Sequence, residues 1–310
     1  MGSATLVVSI PLKWAKRYGI KKGDNLNVEE QGNAVRISTE KTMRNDAIEI
    51  KTTNIGNIIH RVIGVLYRLG YSKIKVTYSP SNEVLIRNRK AKESTRILET
   101  FDHLTGIDIT ETGENYIIGN ERAEIEYSEF SSTLKHLFIN TLKQSDQVTS
   151  AIKKNKDIFE DVKFSERMIN QNFDFCARLI NLKGYEEYNK TNFIYELIKG
   201  LETISDQYYY MYADFLDNNE KTNKKISKET EDILEEVNGT LIDYFEAYDG
   251  FNKEKIEKLS MKIVTLLNKI AKIKTPDNYI ILRAFTALTM IGELLEPLVA
   301  INHEKLTKDK

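Results

Sequence analysis

One cysteine in 310 residues, Cys176, leaves nothing to pair with, so no disulfide framework holds this chain. Four histidines and that single thiol match no zinc-site spacing. Four prolines and 15 glycines are too few for a many-turned β architecture and favour long helices. Neither sign of charge dominates: 45 Lys and Arg face 46 Asp and Glu, which excludes a uniformly basic coat for nucleic acid. The apolar run at 5–10 is too short for a secretion signal, and Lys13, Lys16 and Arg17 follow it instead of preceding it. The most apolar stretch, 279–301, carries Arg283, Glu293 and Glu296 and reads as a core helix, not a membrane span. The expected setting is soluble and cytoplasmic. No Walker loop, G-x-G-x-x-G, G-x-S-x-G or H-E-x-x-H occurs, so the chain does not read as an enzyme.

The charge that is present is unevenly placed. Residues 1–50 carry a net +2, 51–127 a net +1, and 128–310 a net −4. Within the first segment Lys13, Lys16, Arg17, Lys21 and Lys22 come with no acid among them. A basic patch on an otherwise acidic chain suggests an end that meets an anion, although on charge alone a solvated helix face is the favoured reading.

The hydrophobic period divides the chain into three. Residues 1–47 read as a β domain. Leu6-Val7-Val8-Ser9-Ile10 is β-rich, Pro11 opens a small helix with Trp14, Ala15 and Tyr18 on its apolar side, and Gly19 stops it. Two alternating strands then bracket the turn Gln31-Gly32-Asn33. Residues 41–50 look like a linker. Residues 48–127 read as an α/β connector of helix, hairpin, helix, hairpin. Its first helix is marked by Ile55, Ile59, Val62, Ile63 and Leu66, and its first hairpin is expected to turn at Pro80-Ser81-Asn82.

Residues 128–310 show six amphipathic helices. The third and the sixth superpose at an offset of 87 residues: Ile198 meets Phe285, Leu201 meets Leu288 and Ile204 meets Ile291. Two upstream helices precede each, which makes two three-helix repeats the expected plan. Pro297 should kink the last helix. The expected class is therefore α+β, with a small β domain, an α/β connector and a C-terminal six-helix bundle.

Chemistry-bearing groups are few. Cys176 lies on an apolar stripe and reads as core. No histidine follows a glutamate by three residues, so the Glu-x-x-His signature of di-iron bundles is missing. What remains are carboxylates four apart on helices. Glu202 and Asp206 share a face, Glu166 and Asn170 share another, and Glu293 occupies the position equivalent to Asp206. Like charges at this spacing repel by only about 0.2–0.5 kcal/mol, so on spacing alone a solvated border is the favoured reading over a metal site.

Residues 2–38 resemble the AbrB/SpoVT-type DNA-binding domain, through Gly2-Ser3, Val7-Val8-Ser9-Ile10-Pro11-Leu12-Lys13-Trp14, Gly19-Ile20-Lys21-Lys22-Gly23-Asp24 and Val28-Glu29-Glu30. Residues 128–306 resemble a PhoU domain, with Leu201-Glu202-Thr203-Ile204-Ser205-Asp206 similar to its E-x-x-x-D motif. The middle unit is similar to the segment that joins these modules in archaeal PhoU-like regulators. The resemblance implies a swapped-hairpin homodimer at the β domain, with Lys13, Lys16, Arg17, Lys21 and Lys22 set against DNA phosphates. It implies a bundle of two three-helix repeats that damps phosphate uptake, with a phosphate ABC-transporter ATPase or a sensor kinase as a further partner. It also implies iron, zinc or another divalent cation on Glu166, Glu202, Asp206 and Glu293. Two departures stand out. Another strand normally precedes Gly-Ser in that family, so a start at Met1-Gly2 implies either a truncated chain or a barrel lacking an edge, and Asn170 and Thr289 replace expected carboxylates. The alternative reading is a protein-binding modulator of a transporter or kinase whose β domain only dimerises.

Overall fold

The computed structural model describes residues 6–31, 34–39, 47–86, 89–122, 129–222 and 225–307. The chain is α+β: strands and short helices come first, and an all-helical region follows.

The head contains one short helix, α1 (Leu12–Arg17), and one antiparallel pair, β1 (Asn27–Gln31) with β2 (Ala34–Ser38). Pro11 precedes α1 in an extended conformation, as a proline at a helix entrance should. The predicted strand at 6–10 does not form. A strand needs a neighbour for its N–H and C=O groups, and no described segment of this chain supplies one. Leu6, Val7 and Val8 are consequently exposed, and no described residue of 6–39 is buried. The turn at Gly32-Asn33 lies outside the described residues.

In the connector, β3 (Ala47–Lys51) runs parallel to β4 (Lys73–Thr77) through the crossover helix α2 (Ile59–Arg68). The expected linker at 41–50 therefore ends in an edge strand; its residues 41–46 lie outside the described residues. Strand β5 (Glu83–Ile86) pairs with β6 (Arg89–Lys92) and not with β4, so the expected first hairpin is displaced by one strand. Helix α3 (Glu93–Asp102) leads to β7 (Ile107–Thr112) and β8 (Tyr116–Glu121), giving a mixed sheet of order β3-β4-β8-β7. Ile59, Ile63 and Tyr67 of α2 pack with Ile97 and Phe101 of α3 over Ile74, Val76 and Ile117 of the sheet. Alternation along β4 sends Ile74 and Val76 into that core and leaves Lys73 exposed.

Seven helical segments build the body: α4 (Glu129–Lys154), α5 (Phe159–Lys183), α6 (Thr191–Thr222), α7 (Lys228–Asp249), α8 (Lys253–Ile270), α9 (Asn278–Glu293) and α10 (Leu295–Ile301). The expected sixth helix is thus two. Proline lacks an N–H and its ring crowds the carbonyl four residues back, so Pro297 interrupts the helix at Leu294, three residues ahead of the expected kink. The Leu294 carbonyl accepts both the Leu298 N–H at 3.2 Å and the Tyr244 hydroxyl at 3.0 Å.

Helices α6 and α9 pack closely and run antiparallel, with Gly200 against Leu294 and Asp214 against Arg283. The equivalent residues Leu201, Leu288, Ile204 and Ile291 are all fully buried, as their shared stripe predicts. By length and composition the stretch Asn278–Ile301 is apolar enough to cross a membrane; here its inner face is bundle core and Arg283 pairs with Asp214 at 3.1 Å.

Candidate nucleic-acid interface

Lys13, Lys16 and Arg17 lie three and four residues apart, which puts them on one side of α1. Lys16 and Arg17 occupy its last turn, where cations complement the helix dipole. The other side carries Trp14 and Tyr18, whose rings meet at 5.5 Å. The chain then folds back. Ile20 N–H bonds the Ala15 carbonyl at 2.8 Å, and Asp24 accepts the Lys21 N–H at 2.7 Å, closing a turn that presents Lys21 and Lys22. All five basic side chains are exposed. Among the described residues no salt bridge involves any of them, although Asp24, Glu29 and Glu30 are near in sequence. The arrangement is a cluster of unpaired cations on a short helix and the turn after it, which suits phosphates better than base edges.

The carboxylates expected to hold metal do not form such a site. Among the described residues no three His, Cys, Asp or Glu side chains come together as a metal-holding group. The reasons are local. Asn170 donates to Glu166 at 2.7 Å, and Lys199 takes Glu202 in an ion pair. Burial, with Glu202 and Glu166 facing it, pushes the Asp206 carboxyl up to about 7, which favours its protonated form. Glu293 stands apart on α9, beside Glu196 and Glu296. The expectation of iron, zinc or another divalent cation on Glu166, Glu202, Asp206 and Glu293 is overturned.

Sequence reasoning missed the residue that ties connector to body. Arg178 of α5 is fully buried and reaches the C-terminal end of α2. Its guanidinium donates to the carbonyls of Tyr67, Tyr71 and Gly70, and to Glu121 at 3.0 Å. A helix end leaves carbonyls unsatisfied and partly negative, so a cation from another helix is a natural cap. Asn181 adds a bond to the Arg68 carbonyl at 2.9 Å, Arg68 pairs with Asp174, and Leu182 seats on Gly70. A Cβ at Gly70, whose φ is +95°, would stand 2.4 Å from Leu182. Burial outweighs Arg68 at Asp174 and raises that carboxyl to about 6. One signal pointed to Arg178: it is the lone charge inside the run Phe175-Cys176-Ala177-Arg178-Leu179-Ile180. Cys176 is core as expected, its thiol pushed up by burial to about 12.

Comparison of this chain with family models, with curated proteins and with solved structures returns no match.

Proposed function

We propose that this protein is a DNA-binding regulator that acts as a homodimer, joined through its heads, with the helical body as its sensing part. The observation that carries the reading is the head itself: five exposed, unpaired cations sit on a segment with no core of its own. An isolated two-stranded hairpin is marginal in water. Leu6, Val7, Val8, Leu12, Val28 and Val35, all more than 60% exposed, are the surface that a second head covers. The segment 6–10, without a strand partner among the described residues, pairs with the other copy. That swapped arrangement, and a role in phosphate homeostasis, follow from the resemblance to AbrB/SpoVT-type and PhoU domains.

The test is binding to promoter fragments across a salt series. Affinity should fall steeply, with a log–log slope of roughly −0.9 per phosphate contact. Replacing Lys13, Lys16 and Arg17 together by Ala should abolish binding and leave thermal unfolding unchanged. Unaltered binding refutes the DNA role and favours the modulator reading, in which the head serves only for dimerisation.

A further inference from the structure

An open groove of about 470 Å³ lies where α6, α8 and α10 meet. Phe193, Ile256, Leu295 and Val299 make it apolar, and Glu296 stands on its wall. Glu196 of α6, three residues from the groove-lining Phe193, and Glu293 of α9, three residues before Glu296, lie close enough to Glu296 to form one acidic cluster at the groove's Glu296 end. After burial, it is Glu296 and Glu293 that raise the Glu196 carboxyl above the ordinary range, and no cation offsets them. Among the described residues none of the three forms an ion pair. On α8, Val264 lies four residues beyond the groove-lining Ser260, is 55% exposed and prolongs the apolar surface.

An apolar floor among unpaired carboxylates complements one kind of surface: aliphatic residues at helical spacing, flanked by lysine or arginine. The same carboxylates repel an anionic lipid surface. We propose that this groove is the docking site for a basic amphipathic helix of a partner protein. The site needs neither the head nor its dimer, so it stands apart from the DNA reading.

A labelled peptide of about 14 residues, leucine and lysine in helical amphipathic order, serves as the probe, with a leucine–glutamate peptide as its counterpart. The full-length protein is titrated into each and fluorescence anisotropy is followed. The lysine peptide should bind and the glutamate peptide should not. Glu196→Gln, Glu293→Gln and Glu296→Gln combined should weaken binding roughly tenfold and flatten its salt dependence. Ala300→Trp, which fills the groove and keeps the carboxylates, should abolish binding. Val264→Lys, on an exposed position one turn beyond Ser260, should weaken it. Equal binding of the two peptides, or binding unchanged in the Gln and Trp variants, overturns the proposal. So does an Ala300→Trp variant that changes sedimentation of the free protein and not peptide binding, which would assign the groove to a second copy.

Discussion

Arg178 meets Tyr67 in two ways: its guanidinium donates to the Tyr67 carbonyl and also lies 4.8 Å from the centre of the Tyr67 ring. One buried cation of the body thus caps a helix of the connector and stacks on its last aromatic. The guanidinium itself is buried, while the Glu121 carboxylate that it meets keeps 22% exposure.

Arg178→Ala should cost about 2–4 kcal/mol, since it removes at once the shared donor of Glu121 and three carbonyls, of which the Tyr67 carbonyl is buried. Urea unfolding checks this, with a separate connector transition expected in the variant. A loss below about 1 kcal/mol would mean that water replaces the guanidinium at no cost.

Asp206 and His60 should pull stability in opposite directions with pH. The folded Asp206 carboxyl, at about 7 against an ordinary 3.8, keeps a proton that the unfolded chain has released, so its contribution falls as pH rises through that window. Burial, then Arg96 and Arg61, push the His60 imidazole down to about 4 from 6.5. Its contribution is present above the higher value and is lost as pH falls toward the lower. Asp206→Asn should stabilise the protein by about 1–3 kcal/mol at alkaline pH and flatten the curve, measured by urea unfolding across pH. NMR of the His60 ring checks the second claim directly; an ordinary titration midpoint would sink it.

On the proposed joining of two heads, Val8→Asp should yield a monomer. Val8 is 73% exposed within one chain, so the change leaves the connector and body intact and acts only where a second head would cover it. Sedimentation reads the outcome, and a dimer that persists argues against joined heads.

Gly200→Ala should destabilise the body by about 1–3 kcal/mol. The added Cβ would stand 2.4 Å from Leu294 Cδ2 and 2.9 Å from its Cγ, and Leu294 is buried at the helix break with no room to turn away. Thermal unfolding is the measurement, and a neutral result would show that α6 and α9 can part.

Cys176 should be inert to thiol reagents in the folded protein and react in one step on unfolding, because burial holds its thiol in the neutral form. Labelling at native rates comparable to a free thiol would contradict its place in the core.

Helical faces were the most legible part of the sequence. The stripe through Leu201, Ile204 and Tyr208 predicts a buried side, and all three are buried, because a 3.6-residue period depends only on near neighbours. The basic helix was readable for the same reason. Strand partnership was not. The turn signal at Pro80-Ser81-Asn82 is genuine, since Asn82 N–H bonds the Ser79 carbonyl, yet β4 finds its neighbours in β3 and β8, far off in sequence. In β3, Ala47-Ile48-Glu49-Ile50-Lys51 is too short an alternation to stand out beside the charges around it. The spacing of Glu202 and Asp206 correctly gives a shared face, but spacing cannot show that Lys199 occupies one carboxylate while burial neutralises the other.

The interruption at Leu294 makes α10 a separate two-turn piece carrying Leu295, Glu296, Val299 and Ala300. One wall of the groove continues the line of α9 through Leu294 and packs against the 32-residue helix α6, which forms the opposite wall. The backbone bond that Pro297 cannot donate to the Glu293 carbonyl makes this junction the weakest link of the α9–α10 rod. Amide exchange should accordingly be faster along α10 than along α9.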